Sequence, residues 1–214
     1  YTAGVVFDIH YPTSTGAYDT TFHGQSNNVC DVGIFKFDPT GSQRLFATYL
    51  GGEYCDMPHS MFVNTFDELL ILGTTGSSDF PTTPGAFDTT FNSGATIQYL
   101  GGSNMLYPNG SDIFVSRFSS DGTQLQASTF IGGSDNDGLN YRNDYNNNYF
   151  VGNGTLYNNY GDGARGELIT DDLNNVYVGS TTFSFDFPVT SGCLQPSLGG
   201  MQDGVVFKLD YNLK

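Results

Sequence analysis

The sequence predicts an all-β protein assembled from tandem four-stranded units, and three observations carry that prediction. A block of residues returns three times without a gap, as HYPTSTGAYDTTF at 10–22, DFPTTPGAFDTTF at 79–91 and DFPVTSGCLQPSL at 186–198. A second block follows each copy, DVGIFKFD from Asp31, DIFVSRFS from Asp112 and DGVVFKLD from Asp203, always with a basic residue five positions after the Asp. Of the 214 residues 28 are Gly, 14 Tyr and 18 Phe, Trp is absent and only 14% are charged. Such a composition suits short strands joined by tight turns and holds too little Lys, Glu, Ala and Leu for helices.

Taken in order, YTAG at 1–4 falls where LLILG (69–73) and NVYVG (175–179) fall later. The chain therefore opens in mid-pattern and reads as a segment of a longer protein, so a missing signal peptide says nothing about export. Within the second block Ile34, Val115 and Val206 share a face with Lys36, Arg117 and Lys208, while Phe37, Phe118 and Leu209 point the other way, which is strand alternation. The turns DPTG (38–41) and SSDG (119–122) follow, and LFATYLGG (45–52) and LQASTFIGG (125–133) return, so each pair reads as an antiparallel hairpin. SMFVNTFDELLILGTT (60–75) and GELITDDLNNVYVGSTT (166–182) each supply two more strands around an acidic or Asn turn.

Four-stranded units in tandem are the signature of β-propeller blades. The succession VYVGST, FPxTxGA, DxFVxKFD, STYLGG also resembles the bacterial seven-bladed β-propeller repeat family over nearly the whole chain. That resemblance implies a secreted or cell-surface propeller module and no single activity. About two and a half blades are expected as one segment of a larger propeller over 1–214: a partial blade at 1–55, a full blade at 56–133 carrying an insert at 92–111, and a partial blade at 164–214 after an insert at 134–163. The second blocks lie 81 and 91 residues apart, well above a compact blade of about 40–50 residues, and the inserts take up the difference.

A net charge of −15 repels phosphate backbones and anionic lipid, which argues against nucleic-acid partners. No apolar run approaches the roughly 18 residues of a membrane span, so membrane insertion is not expected. Cys193 stands where Ala17 and Ala86 stand in the other copies and is expected as a small buried side chain. Cys30 precedes one strand of the first hairpin and Cys55 follows its partner. A disulfide between them would close a loop of about 25 residues, for roughly 3 kcal/mol, and would speak for an oxidising compartment; the alternative is two unpaired thiols.

The insert SDNDGLNYRNDYNNNYFVGNGTLYNNYGDG (134–163) is expected as a long exposed loop. Asp135, Asp137, Asp144 and Asp162 offer hard oxygen ligands for calcium, against the plainer reading of a solvated loop, since the closing Glu of a calcium loop is missing. Tyr141, Tyr145, Tyr149, Tyr157 and Tyr160 form a candidate contact surface, because Tyr brings large amphipathic area at low entropic cost. Asn109 and Asn153 begin N-glycosylation sequons. Thr20 and Thr89 lie in Asp-Thr pairs that resemble a short bacterial O-glycosylation motif. Lys36, Arg117 and Lys208, at one repeat position, are expected to pair with neighbouring acids or carbonyls rather than to form an anion site.

No catalytic arrangement is legible: His10, His23 and His59 lack metal-ligand spacing, and there is no nucleophile elbow or phosphate-binding loop. The expected role is a non-catalytic extracellular or cell-surface module that needs no cofactor and whose partners are other protein subunits or cell-surface glycans. Two rivals stand beside it. One is a subunit of an extracellular filament, sheath or appendage, a homo-polymer; the other is a glycan-binding or carbohydrate-active propeller, for which Tyr would have to replace the absent Trp.

Overall fold

The computed structural model describes residues 1–24, 28–98, 105–140, 164 and 166–214. Those residues form strands and turns, with no helix among them. Sheet I contains β1 (Thr2–Val6), β2 (Asp31–Phe37) and β3 (Arg44–Leu50) in the order β1-β2-β3. Sheet II is the complete unit, β4 (Asp56–Val63), β5 (Leu69–Thr75), β8 (Asp112–Phe118) and β9 (Leu125–Ile131), in the order β4-β5-β8-β9. Sheet III contains β10 (Glu167–Thr170), β11 (Val176–Thr182) and β12 (Asp203–Leu209) in chain order. Every neighbouring pair is antiparallel, so each sheet is a meander.

The turns explain why these strands stop and reverse. Between β4 and β5 the Asn64 side-chain oxygen accepts from the amides of Phe66 (2.9 Å) and Glu68 (3.0 Å), and Asp67 takes a left-handed backbone at φ 61°. Sheet III repeats the device: Asp171 accepts from the amides of Leu173 (3.0 Å) and Asn175 (2.9 Å), with Asn174 at φ 59°. Asn and Asp hold such turns because a short side chain bonds the backbone two residues on and tolerates positive φ. Gly41 and Gly122, at φ 71° and 70°, close the β2–β3 and β8–β9 hairpins. Both hairpins carry a register shift at the same place, after Lys36 and after Arg117.

Sheet II lies between the other two, and its alternation sends successive side chains to opposite cores. Leu69, Ile71, Phe114, Phe118 and Phe130 pack with Val32, Ile34, Phe46 and Leu50 of sheet I. Leu70, Leu72, Ile113 and Val115 pack with Leu168, Val176, Val178 and Leu209 of sheet III. LLIL at 69–72 is a continuous apolar run because both faces of β5 are covered. Each fully buried Leu, Ile or Phe contributes about 1.5–3 kcal/mol, so these two clusters hold the sheets together.

The first repeat block forms no regular strand. It runs along the outer edge of the last strand of its sheet. Ser14 N donates to Ala47 O (2.9 Å) and Tyr49 N to Asp19 O (3.1 Å); in sheet II Thr83 N donates to Ser128 O (3.0 Å) and Phe130 N to Asp88 O (3.0 Å). β3 and β9 are thereby held on both sides.

The insert at 92–111 contributes a two-residue hairpin, β6 (Ile97–Gln98) with β7 (Leu106–Tyr107). Ile97, Met105 and Tyr107 are buried with Cys30, Cys55 and Leu139, so the insert forms a lid over a third apolar cluster. The start of the second insert also departs from expectation. Asn136, Asp137 and Leu139 are completely buried rather than looped into solvent, and Asp137 and Leu139 make isolated bridges to Thr182 and Ala164.

Candidate functional site: the open groove beside β12

Sheet III differs from sheets I and II along one edge. Among the described residues no strand pairs with the outer edge of β12. A groove of about 500 Å³ runs along that edge, walled by β12 on one side and by the third copy of the first repeat block on the other. Thr190 stands at the position of Ser14 and Thr83, and Gln195 at that of Asp19 and Asp88. Those positions bond β3 and β9 in the other sheets, so the groove is one strand wide and its walls carry matching polar groups.

The filled sheets define what fits. In sheet I, Phe35, Ile34, Gly33 and Val32 stand opposite Ala47, Thr48, Tyr49 and Leu50; in sheet II, Ser116, Val115, Phe114 and Ile113 stand opposite Ser128, Thr129, Phe130 and Ile131. Phe207, Val206, Val205 and Gly204 occupy the corresponding places on β12. An occupant would therefore run small, Thr, aromatic, aliphatic, and then Gly-Gly as at 51–52 and 132–133. Part of the lining is apolar and open to solvent: Val206 is 85% exposed, and Phe185, Val189 and Leu194 are exposed as well. An unpaired strand edge with bare apolar side chains is the kind of surface that can take a further strand.

Cys193 lines this groove and is half-buried. It was expected in a buried apolar site; it is half-buried, as are its counterparts Ala17 and Ala86 beside β3 and β9. Cys30 and Cys55 do lie together, both completely buried in the third cluster. The bridge expected between them is not formed: both are free thiols. Cys55 Sγ donates to Asn28 O at 3.3 Å, and the neighbouring Cys55 thiol together with burial pushes the Cys30 thiol well up.

Two of the four acidic residues read for calcium fall within the described residues. Asp135 and Asp137 are described; Asp144 and Asp162 lie outside the described residues, as do Tyr141, Tyr145, Tyr149, Tyr157, Tyr160 and Asn153. Asp137 is not a solvated loop residue. Its Oδ2 accepts from Gly133 N (2.7 Å) and Ser184 Oγ (2.9 Å), as Asp56 Oδ2 accepts from Gly52 N (2.7 Å) and Ser77 Oγ (3.1 Å). Asp137 is thus the repeat counterpart of Asp56. Asp135 takes part in the adjoining turn, its amide donating to Ser184 Oγ at 2.9 Å and its Oδ1 accepting from Asn136 N at 2.9 Å. Among the described residues no group of three or more His, Cys, Asp or Glu side chains is placed to hold a metal ion.

A feature the sequence reading missed is that these carboxyls meet in pairs. Asp31 neighbours Asp56 across Gly51: a Cβ on that glycine would lie 2.8 Å from Asp31 Oδ1 and 2.7 Å from Asp56 Oδ2. Asp112 neighbours Asp137 across Gly132, with corresponding distances of 2.5 Å and 2.9 Å. All four are fully buried, and the Oδ1 of each has no hydrogen-bond partner among the described residues. Burial pushes Asp31 up to about 7, Asp112 to about 8 and Asp137 to about 7, and holds Asp56 well above the usual carboxylate range. No lysine or arginine is among the groups that shift them, and burial biases each towards its neutral acid. The signal for the pairs was in the sequence, an Asp four residues after Gly-Gly in LGGEYCD and IGGSDND.

The repeated cations pair as expected. Lys36 Nζ bonds Asp67 Oδ2 (2.7 Å) and the Ser120 carbonyl (2.8 Å). Arg117 Nη1 bonds buried Glu68 Oε1 (2.9 Å) and Tyr211 OH (2.6 Å), and Lys208 lies 3.8 Å from Asp171. The histidines stay apart. His10 and His23 contact Asp8 and Asp19, while His59 bonds Thr74 Oγ1 at 3.0 Å and is pushed down to about 4 by burial. Asn109, Thr20 and Thr89 are exposed.

No protein-family profile matches this chain, and no curated protein matches it. The groove and the stacked repeats therefore carry the functional argument.

Proposed function

We propose that the three sheets are successive blades of a β-propeller, and that the chain is a non-catalytic extracellular or cell-surface module for structural assembly or protein interaction. The groove beside β12 would take one further strand of the β3 and β9 type, from the same chain or from a partner. Three features support the blade reading: the meander order, the stacking of each sheet on the next through equivalent faces, and the contact of β4 with β10, the first strands of sheets II and III. The groove is the observation that carries the interaction role. A backbone edge with aliphatic walls fits an extended polypeptide better than a sugar, because main-chain bonds supply affinity and alternate pockets supply specificity.

The test is a fluorescence-anisotropy titration with a labelled peptide of the β9 sequence, TQLQASTFIGG (123–133). Saturable binding is expected for this peptide and none for a scrambled one. Cys193→Trp, which fills the groove, should weaken binding at least about tenfold, or roughly 1.4 kcal/mol. Equal binding of native and scrambled peptides, or none of either, would refute the strand-addition role.

A further inference from the structure

We propose that Cys30 and Cys55 form a site for one soft, monovalent metal ion of the copper(I) class, held as a bis-thiolate beneath the β6–β7 hairpin. The site lies in the third apolar cluster and stands apart from the groove beside β12.

The two cysteines depart from the repeat together. Cys30 and Ser111 both precede the first Asp of the second block, and Cys55 and Asn136 both precede the Asp that follows Gly-Gly. In the second unit these positions hold a polar pair: Ser111 Oγ donates to Asp137 O at 3.1 Å, and Ser111 N donates to Asn136 Oδ1 at 3.0 Å. In the first unit Cys30 Sγ lies 3.9 Å from Asp56 O, the corresponding carbonyl, with the Cys55 thiol as its neighbour. Ser and Asn satisfy the repeat at these places, so nothing in the fold of the unit calls for a pair of thiols.

The backbone holds the sulfurs in position. Asp56 N donates to Cys30 O (2.7 Å), Gly76 N to Cys55 O (2.8 Å) and Leu106 N to Asn28 O (3.1 Å), and the same Asn28 carbonyl accepts from Cys55 Sγ. Both cysteines are completely buried, and the cluster around them adds the thioethers of Met105 and Met57. Tyr107 supplies an independent sign of a ligand. Its hydroxyl is completely buried and has no hydrogen-bond partner among the described residues, and the titratable groups that bear on it are Cys55, Cys30 and Asp56. A buried donor without an acceptor is costly. A thiol is a poor acceptor, whereas the charge of a thiolate makes it a strong one.

The ligands select the ion. Thiolate and thioether sulfur favour soft ions such as copper(I). Structural zinc takes four ligands, and among the described residues no third His, Cys, Asp or Glu completes such a set; two thiolates satisfy a soft monovalent ion. Binding turns two thiols and one copper(I) ion into an anionic bis-thiolate and two released protons. That anion is the acceptor the Tyr107 hydroxyl lacks.

The test is an anaerobic titration of the reduced protein with copper(I) against a chromogenic chelator, in a Cys193→Ser background that leaves two thiols. One ion per chain is expected, with thiolate-to-copper absorption in the ultraviolet. Cys30→Ser combined with Cys55→Asn installs the pair that the second unit already carries, so the fold should persist, as circular dichroism checks, while affinity falls at least about a hundredfold. Tyr107→Phe should still take one ion and bind it about tenfold more weakly. Affinity should rise about a hundredfold per pH unit, since two protons leave for each ion bound. No uptake, equal affinity in the Cys30→Ser, Cys55→Asn protein or in Tyr107→Phe, or affinity that does not change with pH would each overturn the proposal. So would a thiol count of zero in the unfolded Cys193→Ser chain isolated without reductant, which would mean that the two cysteines are bridged.

Discussion

The buried carboxyl pairs should make stability fall as pH rises, against the usual behaviour of an acidic protein with paired carboxylates. In the unfolded chain each Asp ionises near 3.9. In the fold Asp31 and Asp137 hold their protons to about 7 and Asp112 to about 8. Below pH 4 both states are protonated and the full contribution of neutral burial is present. Between pH 4 and 7–8 the unfolded state releases a proton that the folded state keeps, so stability is lost as pH rises through this window. The slope is about 1.4 kcal/mol per pH unit for each carboxyl that keeps its proton. Over the interval to about 8, Asp112 alone would account for over about 5 kcal/mol. Water reaching the pair as the fold relaxes reduces that, and we expect about 2 kcal/mol per pair between pH 5 and 8. The assay is urea unfolding at half-unit pH steps for the unmodified chain, Asp112→Asn and Asp31→Asn. An amide cannot ionise, so each variant should flatten the profile by about one proton equivalent and gain on the unmodified chain as pH rises. His23, Asp19 and Asp79 near Asp31, and Asp88 near Asp112, are common to all three proteins and cancel in the difference. Profiles that run parallel from pH 5 to 8 would refute the reasoning.

Three other outcomes are expected. Gly132→Ala should cost at least about 2 kcal/mol in urea unfolding, because its Cβ would meet Asp112 at 2.5 Å; Gly4→Ala, with nothing within 4 Å, should stay within about 0.5 kcal/mol. Arg117→Ala should cost about 3–5 kcal/mol by the same measurement, since it strands the buried Glu68 carboxylate; Arg117→Ala with Glu68→Gln should recover part of that loss. A thiol reagent should modify Cys193 in the native protein and spare Cys30 and Cys55 until urea unfolds it, and bound β9 peptide should protect Cys193.

How much was legible depended on whether the signal was local. β2, β8 and β12 lie where the second block places them, since period-2 alternation between a Val or Ile and a basic residue is carried by seven consecutive residues. The β4–β5 and β10–β11 turns were readable for the same reason, Asn and Asp holding their own backbones. The hairpin β6–β7 was not, because two-residue strands carry no periodicity and its burial depends on Cys30, Cys55 and Leu139, far away in sequence. Asp137 looked like a loop ligand from its immediate neighbours; the repeated spacing after Gly-Gly pointed to its role, but only the fold places it beside Asp112 across Gly132. The groove is a relation of the same distant kind: Thr190, Gln195 and β12 are each visible in the sequence, but not the strand-wide space between them.

The order of the three sheets follows from how this repeat is stabilised. A sheet whose faces were self-complementary could pair with itself and stop at two layers. Here one face of each unit offers an aromatic or Leu from the first repeat block and an aliphatic from the second, and the other face receives them with Phe118 and the carbonyl of Gly122, or with Leu209 and that of Leu213. Complementarity of that directional kind is satisfied at both junctions among the described residues. A unit of this type can bury both of its faces only between two others, as sheet II does, and the asymmetry of its two faces is what lets sheets I, II and III stack in a single order.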